Sequence, residues 1–553
     1  MRRTVLALIL AVTLSGAEPP KAGSDPAASW TMAGHDLRNT RHQDAETIIG
    51  PSNVGTLKPK WVFATGGDLP ATPAVVGGAL YIPDMDGNLY RLDAATGHVV
   101  WSRRVIAYTG LSGVRVISRT TPAIWGDRLF IGTTHINPNP QAVAQLVAVS
   151  AATGDRIWST VLETQRGAHV LQSPVVANGV VYVGVASNEE SLAVDPRHPC
   201  CTFRGSVVAV DAVTGSIRWQ TYLAPDNHGQ PGGFSGIAVW GSTPVVDAVR
   251  NSLYVTTGNN YDVPQSVKDC EKARRQSSDP SGQPSCNDPG NHVDAVVALD
   301  LDTGQVKWAR SMRGYDTHTF ACLFIFDNHP NCAEPEGPDH DFGQGPMLFS
   351  ASIGGTTREL VGAGQKSGVF WALDPDTGAV VWRTVVGPGG MLGGLQWGSA
   401  TDGQRVYAAV ANFERRTYRL TPSGKLANGG SWGALDMATG QILWQTADPM
   451  SSQFLQGVMA IATAPVTVAN GVLYGGSMDR AGHMYAMDAK TGVILWTFAS
   501  GGSVNSGPAV VDGVVYWGSG YGRMGLGSHN NKLYAFAPGT PLGAPAQTDR
   551  RPR

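Results

Sequence analysis

One thirteen-residue pattern recurs seven times along the chain and limits what it can fold into more than any other feature. It is close to apolar-x-Ala-apolar-Asp-x-x-Thr-Gly-x-apolar-x-Trp. The copies are LYRLDAATGHVVW (89–101), LVAVSAATGDRIW (146–158), VVAVDAVTGSIRW (207–219), VVALDLDTGQVKW (296–308), FWALDPDTGAVVW (370–382), WGALDMATGQILW (432–444) and MYAMDAKTGVILW (484–496). Gly and Trp stand four apart in all seven, and only the second copy replaces Asp, with Ser150. Apolar alternation on both sides of Asp-x-x-Thr-Gly reads as two strands joined by a tight turn. Asp accepts backbone N–H groups there and Gly supplies positive φ.

A second hairpin precedes most copies. Examples are TPAIWGDRLFIG (121–132), SPVVANGVVYVG (173–184), APVTVANGVLYGG (464–476) and GPAVVDGVVYWG (507–518). Asn-Gly or Asp-Gly marks the turn in three of these. Four strands per unit, at intervals of about 50 to 90 residues, describe propeller blades. An eighth unit is split between the chain ends: KLYAFAP (532–538) supplies its third strand, and the run from Leu57 through Trp61 to Phe63 its fourth. Joining the ends closes the ring without a free edge. The expected fold is all-β, one eight-bladed propeller over residues 55–540, with a signal peptide at 1–17, an extension at 18–54 and a tail at 541–553. Seven motif Gly of the 69, seven motif Trp of the 15 and an eighth Trp at the chain closure are then blade punctuation. The motif Trp residues are expected to pack between blades, outside the chemistry.

The start of the chain reads as an export signal: Met1-Arg2-Arg3, then apolar Val5 to Leu14, then Ser15-Gly16-Ala17 as a small-residue cleavage site. No stretch has the length of a membrane helix, so the mature protein is expected to be soluble, in the periplasm or secreted. A net charge of −2 without a basic run argues against nucleic acid as partner. Export and an even number of cysteines favour disulfides. Proximity pairs Cys270 with Cys286 and Cys322 with Cys332. That leaves the adjacent Cys200 and Cys201, either a vicinal disulfide or two buried thiols. The inserts at 262–292 and 316–345, rich in Pro, Gly, Asn and Asp, are expected to be loops on one face without regular elements.

The repeats, together with Trp30-Thr-Met-Ala-Gly-His-Asp near the start and Tyr534-Ala-Phe at the end, resemble those of the pyrroloquinoline-quinone (PQQ) dehydrogenases. Residues outside the repeat extend the resemblance. The segment Val183-Gly184-Val-Ala-Ser-Asn-Glu189 is similar to the family segment ending in a calcium-ligating Glu. Trp240-Gly241, ahead of Thr257-Gly258-Asn259, is similar to the family's ring-stacking Trp and calcium-ligating Asn. Asp316, eight residues past Trp308, stands where the family carries its catalytic Asp. Lys366, eight before Asp374, stands where it places a basic residue on the quinone. The segments CCTFRGSVVAVDAVTG, GSTPVVD, TGNNY, DFGQGP, GAGQKSG, GGLQWGSATDG and NNKLYAF most resemble the polyvinyl-alcohol dehydrogenase group.

The resemblance implies PQQ and Ca²⁺ as cofactors, with Glu189, Asn259 and Asp316 as metal ligands of the oxygen type that Ca²⁺ takes. It implies Asp316 as general base for an alcohol hydroxyl, Lys366 stabilising charge on the quinone oxygens and Trp240 stacked on its ring. Arg119 is a candidate for a quinone carboxylate. Cys200 and Cys201 either cover the ring opposite Trp240 or staple a loop. The relatives' N-terminal cytochrome domain has no counterpart in residues 18–54, so a separate cytochrome c is the expected electron acceptor. Two other readings stand beside this one. The first is a non-catalytic propeller scaffold binding protein partners, since function lies in the site and not in the fold. The second is a quinoprotein dehydrogenase of sugars or aldehydes.

Overall fold

The structure is a computed structural model, and it describes residues 29–539 apart from 136–142, 313, 324–327, 453–460 and 523–524. The segment expected to be an export signal, the first part of the extension and the tail lie outside the described residues. Eight four-stranded antiparallel blades surround one axis. In the third, Val175–Ala177, Val180–Ser187, Ser206–Asp211 and Ile217–Tyr222 pair in chain order. In the eighth, Leu57–Ala64 pairs with Lys532–Pro538 and so joins the two ends of the chain in one sheet. No helix among the described residues is long and apolar enough to cross a membrane.

The repeat shows its purpose between the blades. Six of the seven motif Trp residues donate their indole N–H to a carbonyl in the next blade's Thr-Gly turn. Trp101 reaches Ala151 O at 3.1 Å, Trp219 reaches Leu301 O at 2.9 Å and Trp308 reaches Pro375 O at 2.9 Å. Trp496 to Leu57 O and Trp61 to Ala94 O carry the series across the joint of the ring. The turn Gly lies flat under the incoming indole. At Gly304, with φ +72°, a Cβ would stand 2.5 Å from the Trp219 ring. The motif Asp organises the same turn: Asp93 Oδ1 accepts from Thr96 N and Oγ1 at 2.8 and 2.7 Å. Apolar layers fill the space between neighbouring blades, as where Tyr407 and Trp432 meet Leu473 and Tyr485.

The extension crosses the bore. Trp30 pairs with Val75, and the carbonyls of Thr31, Leu37, Arg38, Thr40 and Arg41 accept from Ile124, Val246, Leu348, Thr401 and Val468 at 2.8–3.0 Å. Gln43 Nε2 donates to Val510 O at 3.0 Å. Residues 30–43 therefore stitch together the innermost strands of seven of the eight blades.

One expectation needs correction. The insert at 262–292 contains a helix, Gln265–Gln276, tied to the rest of the insert by Cys270–Cys286 and carrying ion pairs from Arg274 and Arg275 to the buried carboxylate of Glu271 within the helix. Its Pro and Gly residues lie outside the helical stretch, so their abundance over the whole insert hid it. The other disulfides are Cys322–Cys332 and the vicinal Cys200–Cys201.

Candidate active site

Two sets of connections, from the second to the third strand within a blade and from one blade to the next, open on the same face of the ring. They enclose a cavity of about 190 Å³. Blade three supplies Glu190, in the short helix Glu189–Leu192 after its second strand. The link to blade four supplies Trp240, the link to blade five Asp339 and Asp341, and blade five Lys366 directly after Thr356–Gly364. Arg119, Trp397 and Tyr521 close the other side, with Leu171, Met391 and Phe413 among the apolar lining.

Lys366 is the centre of the polar wall. Its Nζ donates to Asp339 Oδ1 at 2.7 Å and lies 3.6 Å from Asp341 Oδ2 and 5.4 Å from the centre of the Trp240 ring. Asp341 accepts from Trp240 Nε1 at 2.8 Å and from Asn259 N at 2.9 Å, which fixes the indole plane on the cavity wall. Trp240 meets Trp397 edge to face at 5.4 Å. Arg119 lies over the rings of Trp397 and Tyr521 and donates to the Tyr521 hydroxyl at 3.1 Å.

The electrostatics show an excess of acid. Burial pulls the Lys366 ammonium down, but Asp339, Asp341 and Glu190 outweigh it and hold its pKa above the usual range. The carboxyls are pushed the other way. Burial, opposed by Lys366 and helped by Asp341 and Asp316, takes Glu190 up to about 7. Burial and acidic neighbours also raise Asp339, despite Lys366, and Asp294 beside Asp316. One ammonium thus faces more carboxylates than it can neutralise.

The structure separates the residues singled out in the sequence. Trp240, Lys366 and Arg119 meet on the cavity wall. Glu189 turns away: its carboxylate accepts from Thr202 N and Phe203 N at 2.8–3.0 Å and so ties down the segment after Cys200–Cys201. The next residue, Glu190, faces the cavity instead. Neighbours on a helix point about 100° apart, so a one-residue shift in a Glu-Glu pair exchanges lining for anchoring. Asp316 is fully buried behind the wall, where its oxygens accept from Asp339 N at 2.9 Å and His340 N at 2.7 Å. Asn259 is likewise behind Asp341, with its Nδ2 on the carbonyls of Asn260 and His318. Neither cysteine of the vicinal pair is among the cavity-lining residues. Asp339, Asp341, Glu190 and Trp397 were not singled out as site residues, although DFGQGP (341–346) was visible as a segment.

One ligand atom each from Glu190, Asp339 and His318 lies within 4.8 Å of the others. The two carboxylates are oxygen donors of the kind Ca²⁺ takes, and the imidazole is not. The flat indole of Trp240, the apolar residues beside it and the cations Lys366 and Arg119 suit a planar, polyanionic ring.

The family description "Glucose/ethanol/alcohol dehydrogenase, beta-propeller domain", of PQQ type, matches residues 30–318. A second, "Outer membrane protein assembly factor BamB", matches 428–537, where the repeat dominates. A polyvinylalcohol dehydrogenase of Pseudomonas sp is 30% identical over 94% of this chain and 79% of its own. Another, from Sphingopyxis sp. (strain 113P3), is 31% identical over 92% and 76%. A solved quinohemoprotein alcohol dehydrogenase from Pseudomonas putida HK5 has the same fold, with a TM-score of 0.67 at 19% identity over 95% of this chain and 82% of that one. With the family description over half the chain and relatives matching along nearly all of it, the chain belongs to the PQQ-dependent quinoprotein alcohol dehydrogenases.

Proposed function

We propose that the protein is an exported, PQQ- and Ca²⁺-dependent dehydrogenase that oxidises secondary alcohol groups, such as those of polyvinyl alcohol, to carbonyls and passes electrons to a separate cytochrome c. The observation that carries this reading is Lys366 amid Glu190, Asp339 and Asp341 on the wall that Trp240 flanks. When bound, PQQ supplies the hydride acceptor and Ca²⁺ the Lewis acid. Glu190 and Asp339 would hold the cation, whose charge would offset the acidic excess and favour ionised Asp339. Asp339, on the cavity wall, takes the hydroxyl proton of the alcohol as general base. Lys366 stabilises negative charge on the acceptor, and Trp240, locked by Asp341, supports its ring. Asp316 positions the backbone of Asp339 and His340. Export is supported by the basic and apolar start of the sequence and by three disulfides, which persist in oxidising compartments.

The test is reconstitution. Cofactor-free protein is mixed with PQQ and Ca²⁺ and assayed with an artificial electron acceptor against secondary alcohols, primary alcohols, sugars and aldehydes. The expected result is turnover only with both additions and the highest kcat/KM for secondary alcohols. No quinone absorbance on the protein and no turnover would leave a scaffold; preference for sugars or aldehydes would move the substrate class.

A further inference from the structure

Between the cavity and the segment that crosses the bore lies a second, smaller chamber of about 50 Å³. Arg41, from the crossing segment, and Arg119, shared with the main cavity, both line it. The rest of its wall is neutral: Ala33, Pro70, Thr72, Thr121, Ser173 and Asn505 are among the lining residues, and no Asp or Glu is.

Arg41 is only 2% exposed. Its Nη2 donates to Trp397 O at 3.3 Å, while its Nε and Nη1 are buried without a hydrogen-bond partner. Arg119 Nε is also buried and unpartnered. No described carboxylate offsets Arg41, and burial alone draws its pKa down to about 10. A guanidinium remains charged at any physiological pH, and an uncompensated buried charge is strongly destabilising. The segment carrying Arg41 is nevertheless fastened on both sides, by Thr40 O to Thr401 and by Arg41 O to Val468. The guanidinium also packs on Gly398, where a Cβ would stand 2.3 Å from Nε. The side chain is therefore held in place with donors unmet.

We infer that the chamber binds a small singly charged inorganic anion of the halide class between Arg41 and Arg119. The chamber has room for such an ion, and two guanidiniums without a counter-carboxylate supply both charge and N–H donors. The ion neutralises the buried Arg41, and so couples the crossing segment to the floor of the main cavity through Arg119 and Trp397. The site shares Arg119 with the cavity assigned to the quinone, while Arg41 lines the smaller chamber alone, so the cofactor-loaded form distinguishes an ion held by the chain from a carboxylate of the cofactor.

Crystals of cofactor-free and PQQ-loaded protein grown in bromide test this by anomalous scattering. A bromide peak between Arg41 and Arg119 in both forms is the expected result. No peak in either form overturns the proposal. A peak in the cofactor-free form that gives way to a quinone carboxylate in the loaded form also overturns it, since the anion is then part of the cofactor. In solution, replacing gluconate by chloride at constant ionic strength should raise the Tm of the native protein by about 2–3 °C near saturation. Arg41→Met should remove that rise. Should this variant fail to fold, the bromide peaks in native protein decide alone.

Discussion

Asp339 and Asp316 lie on opposite sides of one wall, and their chemistry follows from that placement. Asp339 faces the cavity and bonds Lys366; Asp316 bonds the backbone that carries Asp339. Asp339→Asn should lower kcat of the reconstituted enzyme by about 10²–10⁴, the usual contribution of a positioned base. Asp316→Asn keeps one acceptor oxygen and should cost less, with Asp339 still titrating in the pH–rate profile. A larger loss for Asp316→Asn, with Asp339→Asn near native, would exchange their roles. Glu190 makes a separate claim about pH. Its pKa is raised from 4.5 to about 7 in the folded protein, so the folded state binds the proton more tightly than the unfolded state does. Stability of the metal-free protein should therefore fall as pH rises from about 4.5 through about 7. Ca²⁺ takes the ionised form, so its addition should raise Tm more at pH 8 than at pH 5. Equal gains at both pH values would remove Glu190 from the metal site. At this scale the sequence was legible where spacing from a repeat located a residue, as for Lys366 before Asp374. It was not where the residue stands in an irregular connection: the link carrying Asp316, Asp339 and Asp341 has no period from which side-chain direction can be read.

The blade hairpin was the most legible element, because a turn and an indole must meet at a fixed spacing in each copy. Gly304→Ala forces both a positive φ and a contact of 2.5 Å with Trp219, so it should destabilise the protein by about 2–4 kcal/mol. Denaturant unfolding of the variant measures this; a loss below about 0.5 kcal/mol would mean that the turn does not anchor the indole. The exposed turn carboxylates add an acid limit. Asp211 is drawn down to about 2, first by Arg218 and then by Thr214 N. Its contribution is present above the unfolded value near 4 and fades as pH falls from there toward 2. The helix Gln265–Gln276 was hidden for the opposite reason: it is a single polar helix on a disulfide-bounded insert, with no repeat to announce it.

The whole ring depends on its joint, since the eighth blade alone is assembled from both chain ends. Phe536 there is fully buried and meets Trp496 and Phe498 edge to face at 5.1 and 5.0 Å. Phe536→Ala should cost about 3–5 kcal/mol and lower the unfolding midpoint for the entire propeller, as followed by circular dichroism. A partial early transition that leaves the other blades at their native midpoint would show that the joint is a local clasp. The crossing segment gives the molecule a second closure, separate from the pairing of the two chain ends, through its bonds to seven innermost strands, that of the eighth blade included. Single-sequence reading placed it only as an extension, because its contacts are backbone bonds to distant strands and leave no side-chain pattern.

In the proposed reaction the cavity brings an alcohol to a bound quinone beside Asp339 and Lys366. The most direct measurement is a single-turnover experiment on protein loaded with PQQ and Ca²⁺, with quinone absorbance followed after mixing with a secondary alcohol and no electron acceptor present. Rapid bleaching of the oxidised cofactor is expected in native protein, with stoichiometric carbonyl product, and bleaching slowed by about 10²–10⁴ in Asp339→Asn that still binds PQQ. Bleaching at the native rate in Asp339→Asn, or none in native protein that holds a full complement of PQQ and Ca²⁺, would contradict the proposed reaction.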